Sequence, residues 1–227
     1  NKEDLSSIDL MVEERLKGKP LAYLIGKKGF WKNSFIVTPD VLVPRPETET
    51  LVDAILNENL QGKTLLELGT GSGAISISIA QENKDCFIFA TDISIKSILV
   101  AKQNAEKFCS ENIIFLNHDW NNEWLFPQVD YLISNPPYVD KEATSGKEEG
   151  IWHEPEIALF SKDKGLSDLK LILSKGKNFL NENGKVYLEH APDQYEELNK
   201  FAMENGYLNF SNLNDLNGDK RVSVYQC

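Results

Sequence analysis

Residues Leu65-Leu66-Glu67-Leu68-Gly69-Thr70-Gly71-Ser72-Gly73-Ala74 are the strongest indication of the fold. An apolar run typical of a buried strand passes through three glycines into a helix rich in isoleucine and alanine. Glycines permit a tight turn and let a ligand approach the backbone, and a helix N-terminus presents unpaired N–H groups. The turn predicts a nucleotide-like cofactor. It also fits the loose dinucleotide fingerprint, and a glycine turn that serves only chain reversal is the alternative.

Strand-like and helix-like segments alternate after this stretch. Strands are predicted near residues 64–68, 86–91, 112–117, 129–134 and 184–190, and helices near 73–82, 95–108, 165–180 and 193–205. This alternation predicts an α/β fold with a doubly wound, mostly parallel sheet. The runs 207–213 and 221–226 are instead joined by a turn-rich link, which predicts a C-terminal antiparallel hairpin.

The N-terminal residues predict a short arm before the main domain. Apolar residues at helical spacing over 4–17 predict a helix that ends at Gly18. Segments 29–31 and 35–37 flank residues 32–34 and predict a β-hairpin. The chain begins at Asn1 without Met or a charged-then-apolar leader, so we expect a shortened chain and no signal peptide.

Composition limits the class of protein. With 227 residues and 41% hydrophobic content, the chain fits one large domain with an appendage. No apolar stretch approaches the roughly 20 residues of a membrane span, so no membrane partner is expected. A net charge of −11 without a long basic run argues against a direct nucleic-acid substrate.

Cysteine and histidine residues are few and dispersed. The pattern lacks a C-x-x-C pair, which fits a reducing cytoplasm and structural cysteines, and it suggests no metal triad. The residues are Cys86, Cys109, Cys227, His118, His153 and His190.

Polar residues follow the next two predicted strands. Asp92 lies some twenty residues after the glycine turn, where a carboxylate can accept from both hydroxyls of a ribose. A helix N-cap is the alternative role for Asp92. Asp119 and Trp120 follow the third strand, where a hydrogen bond and a stacked ring can hold an adenine.

The fourth predicted strand ends in Asn135-Pro136-Pro137-Tyr138. The Asn135 side-chain carbonyl and the Pro136 backbone carbonyl are both acceptors, so together they can bind both hydrogens of one NH2 group. Tyr138 offers a ring face against which a flat amide or base can stack. A proline-rich turn that only ends a strand is the alternative.

This strand end favours methyl transfer over hydride transfer. A nicotinamide enzyme usually needs a proton donor near the hydride acceptor, and no His or Lys is close in sequence to the motif. A methyl group on a sulfonium is already activated, so the protein mainly has to align a nitrogen with it and exclude water. A dehydrogenase remains an alternative.

With the glycine turn, Asn135-Pro136-Pro137-Tyr138 resembles the class I S-adenosylmethionine-dependent amino-methyltransferases. Further segments narrow the resemblance to the release-factor glutamine methyltransferases, the HemK or PrmC family, over nearly the whole chain. They are Pro20 to Leu24, Val43-Pro44-Arg45-Pro46-Glu47-Thr48-Glu49, His118-Asp119-Trp120, Glu154-Pro155, Ala158-Leu159, Gly165-Leu166 and Asp219-Lys220-Arg221.

The resemblance implies a Rossmann-like, seven-stranded sheet. It also implies methylation of the side-chain N5 of the glutamine in the Gly-Gly-Gln motif of peptide-chain release factors. It assigns Asn135, Pro136 and Tyr138 to catalysis and residues 135–138 to the substrate. Arg45 and Glu47 are expected to brace the substrate backbone or the methionine end of the cofactor. The cofactor residues it implies are Glu67, Gly69, Thr70, Gly71, Ser72, Gly73, Asp92, Ile93, Asp119, Trp120 and Asn135.

The same resemblance divides the chain into residues 1–44, a remnant of an N-terminal helical domain with a hairpin linker, and residues 45–227, the methyltransferase domain. We expect a monomer. The chain departs from the family pattern in Leu188-Glu189-His190-Ala191-Pro192 and at Lys162 and Lys164. These changes touch loops, so we expect the same reaction.

Other interpretations stay open. An adenine-N6 or cytosine-N4 nucleic-acid methyltransferase would use the same four residues on a flipped base, and a non-catalytic scaffold would need only the cofactor site.

Pro46, Glu47 and Glu49 also suit a helix N-terminus, so this segment can be purely structural. The long loop at 139–164 beside the motif suggests a lid or a substrate-binding element.

Overall fold

The computed structural model describes residues 2–144 and 151–226. Cys227 and the middle of the predicted 139–164 loop, residues 145–150, lie outside the described residues. Elsewhere in that loop, two 3-10 turns span Ile151–His153 and Glu156–Ala158, and Val139 pairs with Phe160. None of the helices in the described part of the chain combines the length and apolar character that a bilayer crossing needs.

The N-terminal arm contains two helices and a hairpin: α1 (Lys2–Leu16), α2 (Leu21–Ile25), β1 (Lys27–Phe30) and β2 (Asn33–Ile36). The hairpin is confirmed, but its predicted turn at residues 32–34 was wrong, because Phe30 pairs with Asn33. Trp31 takes the turn position with φ 51°. Glu49 accepts from its backbone N–H at 2.9 Å, and Glu82 accepts from its indole N–H at 3.2 Å. These distant carboxylates stabilise a turn that the local sequence does not indicate.

Seven strands form the main sheet: β3 (Thr64–Leu68), β4 (Phe87–Asp92), β5 (Ile113–Asn117), β6 (Val129–Ser134), β7 (Leu180–Glu189), β8 (Asn209–Asn214) and β9 (Lys220–Gln226). Their order is β5-β4-β3-β6-β7-β9-β8. The first five in that order are parallel, and β9 runs antiparallel to β7 and β8. The predicted α/β class, the parallel sheet and the C-terminal hairpin are confirmed, although β7 begins four residues before its predicted start at 184.

Five helices cover the sheet: α3 (Glu49–Leu56), α4 (Ala74–Glu82), α5 (Ile95–Lys107), α6 (Ser167–Gly176) and α7 (Tyr195–Glu204). Side chains alternate along each strand, so Leu65 packs with α3 and α4 while Leu66 packs with α6 and α7. The predicted 165–180 helix ends at Gly176 and continues only as a 3-10 turn. Neither α2 nor α3 was predicted as a helix, although Pro46 and the two glutamates after it suited a helix start.

The register of the central strands aligns their carboxyl ends. Leu68 of β3 pairs with Thr91 of β4 and with Ser134 of β6, and Ser134 pairs with Leu188 of β7. The next residue of each strand therefore belongs to one row at the edge of the sheet. That row is Asp92, Gly69, Asn135 and Glu189. The strand order also reverses between β3 and β6, which is where open α/β sheets bind ligands.

Candidate active site

A cavity of about 320 Å³ opens at the row of strand ends. Residues from the glycine turn, from the ends of β4 and β6 and from the loop after β5 line it. The predicted site residues among them are Gly69, Gly71, Asp92, Ile93, Asp119, Trp120, Asn135 and Pro137. The fold thus brings together predicted site residues that lie up to 68 positions apart in the sequence.

The glycine turn needs left-handed backbone at Gly69, Gly71 and Gly73, with φ of 77°, 54° and 80°. A Cβ at Gly71 would meet nothing within 4 Å, so this turn leaves open space toward the cavity. A Cβ at Gly73 would instead lie 2.7 Å from Cδ1 of Ile77 in α4. Gly71 therefore gives a ligand access, whereas Gly73 lets the turn pack closely on the helix.

Glu67 lies behind the turn and is only 1% exposed. It accepts hydrogen bonds from the hydroxyls of Thr70, at 2.7 Å, and Ser76. Burial raises the pKa of this carboxyl to about 7. Glu67 contacts the turn and does not line the cavity, so its predicted contact with a cofactor stays a prediction, and bracing the turn is the role its hydrogen bonds indicate.

Asp92 ends β4 and links two backbone segments. Its Oδ2 accepts from the N–H of Gly71 and its Oδ1 accepts from the N–H of Ser94, both at 2.9 Å. Burial raises the pKa of Asp92. The alternative role as the α5 N-cap was wrong, because Ser94 caps that helix by accepting from Ser97 N–H. Each carboxylate oxygen keeps a lone pair for a ligand hydroxyl.

The loop after β5 is fixed by two residues that sequence reasoning missed. The Trp120 indole N–H donates to Asp168 Oδ1 at 3.0 Å, and the ring lies 3.3 Å from the position a Cβ would take on Gly69. The Lys175 ammonium donates to the carbonyls of residues 120, 121 and 122 at 2.9, 2.8 and 3.0 Å. Because its N–H is occupied, Trp120 can offer a ligand only its ring.

Residues 135–138 after β6, the amide motif, present two free hydrogen-bond acceptors. Asn135 Nδ2 donates to the Thr48 hydroxyl at 3.1 Å. Within the described part of the chain, neither Asn135 Oδ1 nor the Pro136 carbonyl accepts a hydrogen bond. Pro137 lines the first cavity, whereas Tyr138 lines a second one. The motif therefore forms a wall between two cavities.

The second cavity, of about 610 Å³, lies on the far side of this wall. Its lining includes Arg45, Glu47, Tyr138, Glu189 and Arg221. Tyr138 donates to Glu189 Oε1 at 3.0 Å, and burial raises the pKa of Glu189 to about 7. The predicted substrate residues Arg45 and Glu47 thus lie with Tyr138. From the sequence, Glu189 was noted only as part of residues 188–192, which depart from the family pattern.

Arg45 is held by a buried acid. It pairs with Glu154, whose other carboxylate oxygen accepts from the Val43 N–H at 2.9 Å. Arg45 also lines a narrow space with Thr70, Ser72 and Asn135, so it lies between the two cavities. The ion pair fixes the arm segment against the loop that precedes α6.

Parts of the arm and of the 139–164 loop cover the first cavity. Pro39 and Val41 come from the arm, and Pro155, Ile157 and Phe160 come from the loop. The expected role of this loop as a lid or a substrate-binding element stays a prediction. The arm contact was missed, since nothing in residues 39–42 indicates a ligand.

Comparisons with known proteins agree with this geometry. The family model "Methyltransferase small domain" matches residues 46–153. The release factor glutamine methyltransferase of Coxiella burnetii is 38% identical to this chain, over 99% of the chain and 81% of the relative. That of Aliivibrio fischeri is 34% identical, over 99% of the chain and 80% of the relative.

Solved structures share the fold at lower identity. A methyltransferase from Pyrococcus furiosus matches with a TM-score of 0.62 at 22% identity, over 85% of this chain and 87% of that one. The ribosomal protein L11 methylase of Lactobacillus delbrueckii matches with a TM-score of 0.60 at 17% identity, over 88% and 89%. Because the chain is more than 30% identical to these relatives and covers about four fifths of their length, it belongs to the release factor glutamine methyltransferase family.

Proposed function

We propose that this protein transfers a methyl group from S-adenosylmethionine to the side-chain amide nitrogen of the glutamine in the Gly-Gly-Gln motif of peptide-chain release factors. The observation that carries the proposal is the pair of free acceptors, Asn135 Oδ1 and the Pro136 carbonyl. They lie one strand away from the glycine turn, at the wall between the two cavities. The names of the relatives support a release factor as the substrate.

The residues of the first cavity fit an adenosine-containing cofactor. Open space at Gly71 allows a ligand to lie against the turn. Asp92 has acceptor capacity for ribose hydroxyls, and the Trp120 ring lies close to the turn. Ile93 is 43% exposed at the rim of the same cavity and supplies apolar contact. Among the turn residues, Thr70 and Ser72 face the narrow space beside Arg45, where the methionine end would lie.

The second cavity fits the glutamine and its flanking chain. The ring of Tyr138 can stack on the flat amide, with Pro137 on the cofactor side of the wall. Arg45 and Glu47 offer opposite charges to the polar groups of a peptide backbone. We also propose that residues 45–227 form the methyltransferase domain, with residues 1–44 as an N-terminal extension that shares its core through Phe30 and Phe35.

Residues of this chain align the substrate amide nitrogen with the methyl group of the cofactor. An amide nitrogen shares its lone pair with the carbonyl and is nearly non-basic, so its orientation matters more than its deprotonation. Asn135 Oδ1 and the Pro136 carbonyl would each accept one amide hydrogen, which directs the nitrogen lone pair at the first cavity. S-adenosylmethionine, when bound, supplies a methyl group already activated by its sulfonium. As positive charge builds on the nitrogen, both acceptors stabilise it more than they stabilise the ground state. The methylated nitrogen then releases one of its hydrogens as a proton to water, which leaves the neutral N-methyl amide.

Label transfer tests the proposal. The protein is incubated with methyl-labelled S-adenosylmethionine and a purified bacterial release factor, in parallel with the same release factor carrying Ala in place of the glutamine. We expect label in the first release factor and none in the second. Total RNA is included in a separate reaction, and label in RNA instead of protein would replace the proposal by a nucleic-acid methyltransferase.

A further inference from the structure

Two segments that are far apart in the sequence cover the first cavity. Residues 39–42 of the arm supply one part of its lining, and residues from 155–160 of the loop supply another. The arm segment is held to α5, because Val41 and Val43 pack with Val100. The loop segment is held to the residues after the amide motif by the pairing of residues 139 and 160. The shape of the cavity therefore depends on what joins these two segments.

Glu154 joins the two segments. Its side chain is 2% exposed, and both of its carboxylate oxygens bind the arm. Oε2 accepts from the Val43 backbone N–H at 2.9 Å, and Oε1 accepts from the Arg45 guanidinium. Val43 directly follows Leu42, and Glu154 directly precedes Pro155. Because Leu42 and Pro155 both line the cavity, the carboxylate acts one residue away from the lining on each segment.

The burial of Glu154 makes this junction costly to open. A buried charge is unfavourable unless it is paired and hydrogen-bonded, and here both donors come from the arm. Among the described residues, the loop makes one other hydrogen bond to the arm, between His153 Nε2 and the Lys17 carbonyl at 2.9 Å. That contact is exposed, so water can replace it when it breaks. Glu154 is therefore the stronger of the two links.

We propose that Glu154 is a positioning residue for the cofactor: it joins the arm to the loop, keeps Leu42 and Pro155 at a fixed separation, and thereby slows the release of S-adenosylmethionine. It also holds the Arg45 guanidinium at the narrow space between the two cavities. This inference rests on the proposed function for the identity of the cofactor, and it concerns the segments that cover the cofactor cavity.

Glu154→Gln is the variant that separates the two bonds. The glutamine carbonyl can still accept from the Val43 N–H, but its NH2 group meets the Arg45 guanidinium, and both of these groups only donate. We expect S-adenosylmethionine to dissociate about 10-fold faster, with an association rate within about threefold of wild type. Stopped-flow fluorescence measures both rates, because Trp120 lines the cavity. A dissociation rate equal to that of wild type would overturn the proposal.

Asp130→Asn is a matched control for the loss of an ion pair. Asp130 accepts from the Lys63 ammonium and from the Thr64 backbone N–H, both at 2.9 Å, which repeats the bonding pattern of Glu154. This pair lies at the amino ends of β3 and β6, opposite to the strand ends that form the cavity. Both variants should lower the Tm, but Asp130→Asn should leave the dissociation rate within about twofold of wild type. An equal increase of that rate in both variants would indicate a general loosening of the fold and overturn the proposal.

Arg45→Met tests the same ion pair from its other side and keeps the test decisive if Glu154→Gln does not fold. We expect faster dissociation of S-adenosylmethionine in this variant, and an unchanged rate would overturn the proposal. In the Arg45→Met background, Glu154→Gln should change the rate by less than about twofold, because the pair is already broken. An undiminished effect of Glu154→Gln in that background would show that the carboxylate does not act through Arg45.

Hydrogen exchange of the Val43 amide gives a readout that needs no cofactor. Since the Val43 N–H donates to Glu154, we expect Glu154→Ala to speed its exchange by about 10-fold or more and Asp130→Asn to leave it unchanged. Equal exchange in wild type and both variants would overturn the inference. Failure of wild type to bind S-adenosylmethionine would refute the proposed function. Binding with a dissociation rate that Glu154→Gln does not change would refute the positioning role alone.

Discussion

The glycine turn after β3 and the amide motif after β6 lie side by side in the sheet but are held in different ways. The turn is held by Glu67 through Thr70 and Ser76, and by Asp92 and Asn104 across 21 and 32 positions of sequence. The amide motif is held from far away, by Thr48 across 87 positions and by Glu189 across 51. The glycine pattern of the turn is recognisable in one short stretch of sequence, whereas the geometry of the motif depends on contacts from distant parts of the chain.

Substitutions in the two regions should also impair different properties of the protein. The turn and Asp92 belong to the first cavity, so changes there should weaken cofactor binding or the fold. The motif belongs to the wall, so changes there should slow the transfer itself.

Asn135→Ala should give the largest effect. Loss of one preorganised acceptor in an active site lowers turnover by roughly 100- to 1000-fold. We expect a kcat decrease of that order on a release factor, with the Kd for S-adenosylmethionine changed much less. Steady-state kinetics and calorimetric titration measure the two quantities. Turnover close to that of wild type would remove Asn135 from the mechanism.

Asp92→Asn should show the opposite pattern. Hydrogen bonds to a charged group contribute about 1.5 to 3 kcal/mol, so we expect the Kd for S-adenosylmethionine to rise by about 10- to 100-fold. At saturating cofactor, kcat should recover most of its wild-type value. If titration gives an unchanged Kd, Asp92 does not hold the ribose and the contrast between the two regions is lost.

Two glycine variants sharpen the comparison within the turn. Gly73→Ala combines positive φ with a 2.7 Å approach to Ile77, so we expect it to lower the free energy of unfolding by about 2 kcal/mol or more. Gly71→Ala carries only the backbone strain, about 1 kcal/mol, and should weaken cofactor binding instead. Urea denaturation measures the free energy of unfolding of each variant. Equal destabilisation of the two variants would argue against the close packing at Gly73.

Glu189→Gln should give the smallest effect, a gain in stability at alkaline pH. The folded pKa of Glu189 is about 7, above its ordinary value of 4.5. Its contribution to stability is present below the ordinary value and is lost as pH rises through about 7. Near pH 8 the variant should therefore be more stable than wild type by about 1 kcal/mol, because part of the gain is offset by weaker hydrogen bonds.

Near pH 5 the stabilities of the variant and wild type should converge. Thermal denaturation across this pH range checks the trend, with Glu182→Gln as a control at an exposed position of the same strand. A constant difference between variant and wild type at all pH values would show that Glu189 is not a titrating buried carboxyl.

The strands and the overall fold were predictable because they depend on local pattern. Apolar runs followed by glycine or by polar residues placed β3 and β6 at their observed bounds. The helix α3 was missed although Leu51, Val52 and Ile55 are fully buried at helical spacing. The helix-start signals at Pro46, Glu47 and Glu49 indicated only a possible structural role for this segment, and no helix was predicted from them.

The supporting residues of the site were not predictable in the same way. Thr48, Asp168, Lys175 and Glu189 act through contacts across tens of positions, and no spacing in the sequence marks them. Only the register of the parallel strands places Glu189 in the row with Asn135. The residues that face a ligand carry recognisable motifs, whereas the residues that orient them depend on the tertiary structure.

The most direct test of the central claim is to locate the methyl group on the product. A release factor is incubated with this protein and S-adenosylmethionine, digested, and sequenced by tandem mass spectrometry. We predict one added methyl on the side-chain amide of the Gly-Gly-Gln glutamine, present with wild type and nearly absent with Asn135→Ala. A methyl on any other residue, or equal modification by both proteins, would contradict the claim that the Asn135 motif selects a glutamine amide.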